Sequence, residues 1–111
     1  MDKITELITQ ELASANAKFP PFHSCHEAYS VLREETEETV LAISTFTTFM
    51  SKAWEQVKKD DVCKADIEVL KLAAKDIIDE AIQVAAMCEK FSDFMKTQPD
   101  QDELAEEVSD V

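Results

Sequence analysis

The chain of 111 residues has no glycine and only three prolines. Tight β-hairpins draw on Gly or Asn-Gly turns, so a fold built from hairpins is excluded. Positive charge is scarce, with 11 Lys and Arg against 24 Asp and Glu and a net charge of −13. Holding a duplex by its phosphates requires clustered Lys and Arg, so double-stranded nucleic acid is excluded as a partner. Long apolar runs are missing too. None has the length of a membrane span, and no apolar stretch follows the N-terminus as it would in a signal peptide. The three cysteines, Cys25, Cys63 and Cys88, are scattered and include no C-x-x-C pair. That usage predicts buried free thiols in a reducing, cytoplasmic setting rather than a disulfide framework.

What the chain does have points to helix. Its hydrophobic fraction of 45% suits a globular protein. Its length suits one domain with a modest core. Abundant Ala, Glu, Lys and Leu favour helix, and the fold class read from these features is all-α. An acidic molecule of this kind can use its charge for solubility, to attract a cation, or to mimic nucleic acid towards a basic protein.

Three helical segments follow from the spacing of apolar residues. Ile4, Leu7, Ile8 and Leu12 mark an amphipathic helix over residues 3–16. Pro20 and Pro21 end that segment. Ser24 and Glu27 then form a capping-box signature, which predicts a helix from about Cys25. Leu32, Thr39, Ile43, Phe46, Met50, Trp54 and Val57 lie on one stripe of this second helix. Lys58, Lys59, Asp60 and Asp61 interrupt the pattern, and a hairpin turn is expected at Lys59–Val62. A third helix is expected from Cys63 to Met95, with Leu70, Ala74, Ile77, Ala81, Val84, Cys88, Phe91 and Met95 along its stripe. The domain thus spans residues 1–96. Residues 97–111 read as a flexible acidic tail, with a short helix conceivable around Leu104. A long hairpin and one short helix leave apolar surface uncovered. Ile67, Val69, Ile78, Ile82 and Phe94 fall off the main stripe, so an antiparallel bundle completed by homo-oligomerisation, as a dimer or tetramer, is expected.

Two acidic clusters interrupt these helices. With Leu32 as the origin, Glu35 lies at about −60° and Glu38 at about −120° around the second helix. With Leu70 as the origin, Glu80 lies at about −80°, Asp76 at about −120° and Gln83 at about −140° around the third. Antiparallel helices are related by a twofold axis, which preserves the sign of an angle. Both clusters therefore emerge on one side of the hairpin. A turn centred at residue 59 sets Glu38 opposite Glu80 and Glu35 opposite Gln83. Carboxylates three residues apart on a helix can converge on one ion. Mg²⁺ prefers a few oxygen ligands and keeps waters that substrate phosphates can displace. The competing reading is a solvated acidic face.

The residues Glu34-Glu35-x-x-Glu38 resemble the E-E-x-x-E helix motif of the MazG-like all-α nucleotide pyrophosphohydrolases. Glu80-Ala-Ile-Gln83 stands where that family has E-x-x-D. His26-Glu27-Ala28-Tyr29 and Gln83-Val84-Ala85-Ala86-Met87 are similar to its short phage and bacterial members. The resemblance covers roughly residues 22–95. It implies Mg²⁺-dependent hydrolysis, with Mn²⁺ as a substitute, of a nucleoside triphosphate to monophosphate and pyrophosphate. Carried over, Glu35, Glu38 and Glu80 would ligate the metal. Glu34 would be a second-layer group or the base, and Glu34 and Glu35 the catalytic pair.

The chain departs from the pattern in two respects. Gln83 replaces an aspartate, so a neutral carbonyl stands where an anionic ligand would be, and Asp76 or Asp79 would have to compensate. The spacer between the motifs is long, which predicts a longer hairpin or a kink. Two other functions keep the same helices: a catalytically silent interaction module, and an acidic decoy. Zinc at His23, Cys25 and His26 lacks a fourth ligand. Trp54, Phe46, Phe49, Phe91 and Phe94 read as core or interface rather than base-stacking groups. Arg33, Lys71 and Lys75 do not point to the acidic side, which leaves no phosphate-binding cation assigned.

Overall fold

A computed structural model describes residues 1–99. It contains three helices, α1 (Lys3–Lys18), α2 (Cys25–Lys58) and α3 (Lys64–Lys96), and no strand among the described residues. The tail assigned to residues 97–111, including the helix suggested near Leu104, lies from residue 100 onward outside the described residues.

The local chemistry accounts for each boundary. Asp2 caps α1, its Oδ1 accepting from the Thr5 N–H at 2.8 Å. Ser24 caps α2, its Oγ accepting from the Glu27 N–H at 3.1 Å. The other half of the capping box does not form, because the Glu27 side chain turns to His23 Nδ1 at 3.2 Å. The interhelical turn has no glycine to draw on. Asp60 takes the left-handed conformation instead, with φ 55°, which Asp tolerates better than most residues.

α2 and α3 pack along one another, and α1 packs on α3. Residues wholly or partly withdrawn from solvent on α2 recur at alternating steps of four and three: Ala28, Leu32, Glu35, Thr39, Ala42, Phe46, Phe49, Ala53 and Gln56. On α3 the same alternation runs through Asp66, Leu70, Ala73, Ile77, Glu80, Val84, Met87, Phe91 and Phe94. This is the 3.5-residue repeat of helices wound as a coiled coil. The long spacer goes into the length of the hairpin, each helix running unbroken through it.

The seam differs from the expected stripe. Ile43, Met50, Trp54 and Val57 are exposed, while Ala42 and Ala53 are buried. Alanines let two backbones approach closely, and that selects one edge of a broad apolar arc over the other. On α3, Ala81, Cys88 and Met95 are likewise exposed. The expected buried thiols are corrected too: all three cysteines are free, but Cys25 and Cys88 are exposed and Cys63 is half-buried.

The densest packing lies where α1, the linker and the open end of the hairpin meet. Phe22, Ala28, Ala86 and Met87 are buried there, with Ile8, Leu12, Val31, Phe91 and Phe94 packed against them. Phe94 is thereby partly covered within the chain, and Val69 and Ile82 are half-buried as well, whereas Ile67 and Ile78 remain exposed. Among the described residues no large side chain is fully buried, and every ion pair joins residues three or four apart on one helix or at its start. Apolar contact, not interhelical salt bridging, holds the helices together.

Candidate metal centre

Three seam positions are occupied by acids: Glu35 on α2, and Asp66 and Glu80 on α3. Most of the other seam positions carry alanine or larger apolar groups, and Glu35 and Glu80 are both half-buried. Glu38, one turn further along α2, is exposed at the edge of the seam. One carboxylate oxygen from each of Glu35, Glu38 and Glu80 lies within 4.8 Å of the others. The side-chain atoms Glu35 Oε2 and Glu80 Oε2 are buried without any hydrogen-bond partner.

The electrostatics follow from this placement. Burial, then the charges of Glu38, Glu80 and Glu34, hold the Glu35 carboxyl above its ordinary range. Burial, then Glu38 and Asp76, do the same for Glu80. A buried acceptor left unpaired is costly, and three carboxylates sharing one small volume repel each other. A divalent cation satisfies both requirements. Octahedral Mg²⁺ holds oxygens at about 2.0–2.1 Å, so a small side-chain rotation would close the trio on one ion. The all-oxygen donor set fits Mg²⁺ or Mn²⁺ rather than a softer metal.

The remaining candidates separate into two groups. Gln83 is half-buried and, with Glu34 and Glu35, lines a cavity of about 500 Å³ beside the trio. Asp76 and Asp79 are exposed and stand outside the trio. Both act on Glu80 through their charge. His23, Cys25 and His26 do not form a ligand cluster, since the Glu35, Glu38 and Glu80 group is the one of its kind among the described residues. Arg33 pairs with Glu37 at 3.0 Å and Lys71 with Glu68 at 3.2 Å, so neither reaches the acids.

Sequence reasoning missed Lys90. It is buried, at 7% exposure, and lines the same cavity as Glu35 and Gln83. Its Nζ sits 4.8 Å from the centre of the Phe22 ring. The signal was present in the spacing: Lys90 follows Gln83 by seven residues, about two turns, and so lies on the same face. Comparison with protein-family models, curated proteins and solved structures returns no match to this chain.

Proposed function

We propose that this protein is a divalent-metal-dependent nucleoside triphosphate pyrophosphohydrolase of MazG-like type. The observation that carries this reading is the trio of Glu35, Glu38 and Glu80, with two buried oxygens lacking partners; one of the three, Glu35, also lines a cavity large enough for a small molecule. The motif resemblance supplies the reaction. Glu35, Glu38 and Glu80 would hold Mg²⁺ or Mn²⁺. When bound, the ion would neutralise phosphate charge and make water more acidic. Glu34 lines the cavity and is exposed, and in this reading it would take a proton from the attacking water. Gln83, lacking charge, would position a phosphate or a water through its amide rather than bind the ion strongly.

The same reading makes the protein a homo-oligomer. Ile43, Met50, Trp54 and Val57 form an exposed apolar stripe on α2, at the spacing that packs against another helix. No described helix is long and apolar enough to cross a membrane. The exposed stripe also suits an interaction module that has lost turnover, and one experiment separates the two readings. Protein is incubated with Mg²⁺ or Mn²⁺ and a panel of ribo- and deoxyribonucleoside triphosphates, and pyrophosphate is measured apart from orthophosphate. Pyrophosphate formed with at least one nucleotide, and abolished by Glu38→Gln, supports the hydrolase. No turnover of any nucleotide with either metal leaves the silent module.

A further inference from the structure

We infer that the cavity between α1, the Phe19–Phe22 linker, α2 and α3 is a nucleobase pocket, in which Lys90 donates to an oxo group of the base and Phe19 covers the ring. This inference rests on the pyrophosphohydrolase reading for the attached phosphates, but its evidence comes from different residues.

Lys90 is the starting point. Among the described residues it is the buried charged side chain, and it has no ion-pair or hydrogen-bond partner there. The stem of Lys90 is covered while its ammonium keeps contact with water, since the buried side-chain atoms without partners among the described residues are Glu35 Oε2 and Glu80 Oε2. The Phe22 ring lies 4.8 Å from the ammonium and accepts an N–H only weakly. Lys90 lines two adjoining cavities, as do Phe19 and Phe22. The donors of Lys90 are thus available to a guest.

The surroundings select the guest. The cavity beside the carboxylates is walled by Phe22, Val31 and Met87. Its charged lining is four glutamates, Glu11, Glu27, Glu34 and Glu35, against Lys18 and Lys90. A bare phosphate would meet net negative charge, whereas a neutral ring would not. Phe19 is 63% exposed at the rim, so its face is free to stack, and base–aromatic stacking is a sequence-tolerant source of affinity. The spacing also suits a nucleotide. From Glu80 to Lys90 is ten residues, about 15 Å along the helix, with Gln83 and Met87 between them on the same cavity wall. Phosphates at the carboxylate end would place the base at Lys90.

Lysine has three N–H donors and no acceptor. Uracil, thymine and guanine present an oxo acceptor on the edge where adenine carries an amino donor. The pocket therefore prefers oxo bases over adenine.

The test separates this inference from the hydrolase reading. Isotope-labelled protein in metal-free buffer is titrated with uridine, adenosine and inorganic phosphate, following the amide signals of residues 19–22 and 87–90. Uridine is expected to shift them with at least tenfold higher affinity than adenosine. Lys90→Met, which keeps most of the stem, removes that preference while its melting temperature shows it folded. Phe19→Ala, at the rim, lowers uridine affinity about tenfold, within the range seen for loss of one stacking ring, and serves as a second probe should Lys90→Met unfold. In turnover, Lys90→Met reduces the UTP-to-ATP ratio of kcat/KM about tenfold. Equal affinity for uridine and adenosine, or a preference that survives in Lys90→Met, overturns the pocket. So does phosphate outcompeting uridine at the same signals. Lys90-dependent uridine binding with no triphosphate turnover keeps the pocket and rejects the hydrolase. Turnover without base preference does the opposite.

Discussion

At the scale of single residues, the carboxylates decide the behaviour of the site. Burial and neighbouring charge raise Glu35 and Glu80 above the ordinary glutamate value of 4.5. The folded chain then binds protons more tightly than the unfolded chain at these groups. Their contribution to stability is complete below the ordinary glutamate range and is lost as pH rises through the raised values. Metal-free protein should therefore melt higher as pH falls from 7 towards 5, with a flatter profile in Glu35→Gln, as calorimetry across that range would register. Protons compete with the metal for the same oxygens, so stabilisation by Mg²⁺ should grow with pH over that interval. Glu38→Gln relieves repulsion and should raise the metal-free melting temperature slightly. It should also remove the Mg²⁺-dependent rise, which for the native protein is about 1.4 kcal/mol at ten times Kd. Glu89→Gln, at an exposed site on α3, is the control, with NaCl matching ionic strength. A wild type indifferent to Mg²⁺ would remove the metal from the proposal. A Glu38→Gln response equal to wild type would show that other carboxylates hold it.

At the scale of elements, helix identity and ends were legible because each rests on neighbouring residues. Ser24 supplies the cap where the sequence placed it, Asp2 caps α1 by the same local chemistry, and the turn falls in the break after Lys58. Which edge of α2 meets α3 was less legible. Ile43, Met50, Trp54 and Val57 satisfy helical periodicity as well as Ala42, Phe46, Phe49 and Ala53 do. An average over apolar residues favours the larger ones, although the smaller ones permit closer approach. The glycine-free turn makes its own prediction. Asp60 has φ 55°, a region unfavourable for β-branched residues. Asp60→Val should destabilise the protein by about 1–2 kcal/mol, and Asp60→Gly should be neutral or mildly stabilising, because glycine adopts this region freely. Denaturant melts of the pair would check the contrast, and equal stability of the Val variant would mean the turn relaxes.

At the scale of the whole molecule, the described chain has a thin core. The buried hydrophobic residues are Phe22 and Met87 with four alanines, while Trp54 is 56% exposed and Ile43, Met50 and Val57 share its stripe. Exposed apolar surface of this extent would suit an interaction face. The proposed homo-oligomer would place that stripe against a second copy. Sedimentation at micromolar concentration should give a dimer or larger, and Trp54→Glu should shift it to monomer with a lower melting temperature. A wild type that sediments as a monomer at high micromolar concentration contradicts the assembly. The −13 charge opposes association, so the dimer fraction should increase with salt.

Much of this protein was determined by sequence alone. Absence of glycine, helix-favouring composition and apolar spacing specify three helices, and simple angular arithmetic brings Glu35, Glu38 and Glu80 to one side. These features depend on contacts within a few turns, or on the symmetry of a hairpin, and both can be read along a chain. Tertiary structure decided the rest: the alanine seam, the exposure of Trp54, the separation of Asp76 from the trio, and the burial of Lys90 under the linker. Those outcomes depend on how closely two helices approach and on where α1 lies. Both are set by packing among residues far apart in sequence, which local periodicity does not record.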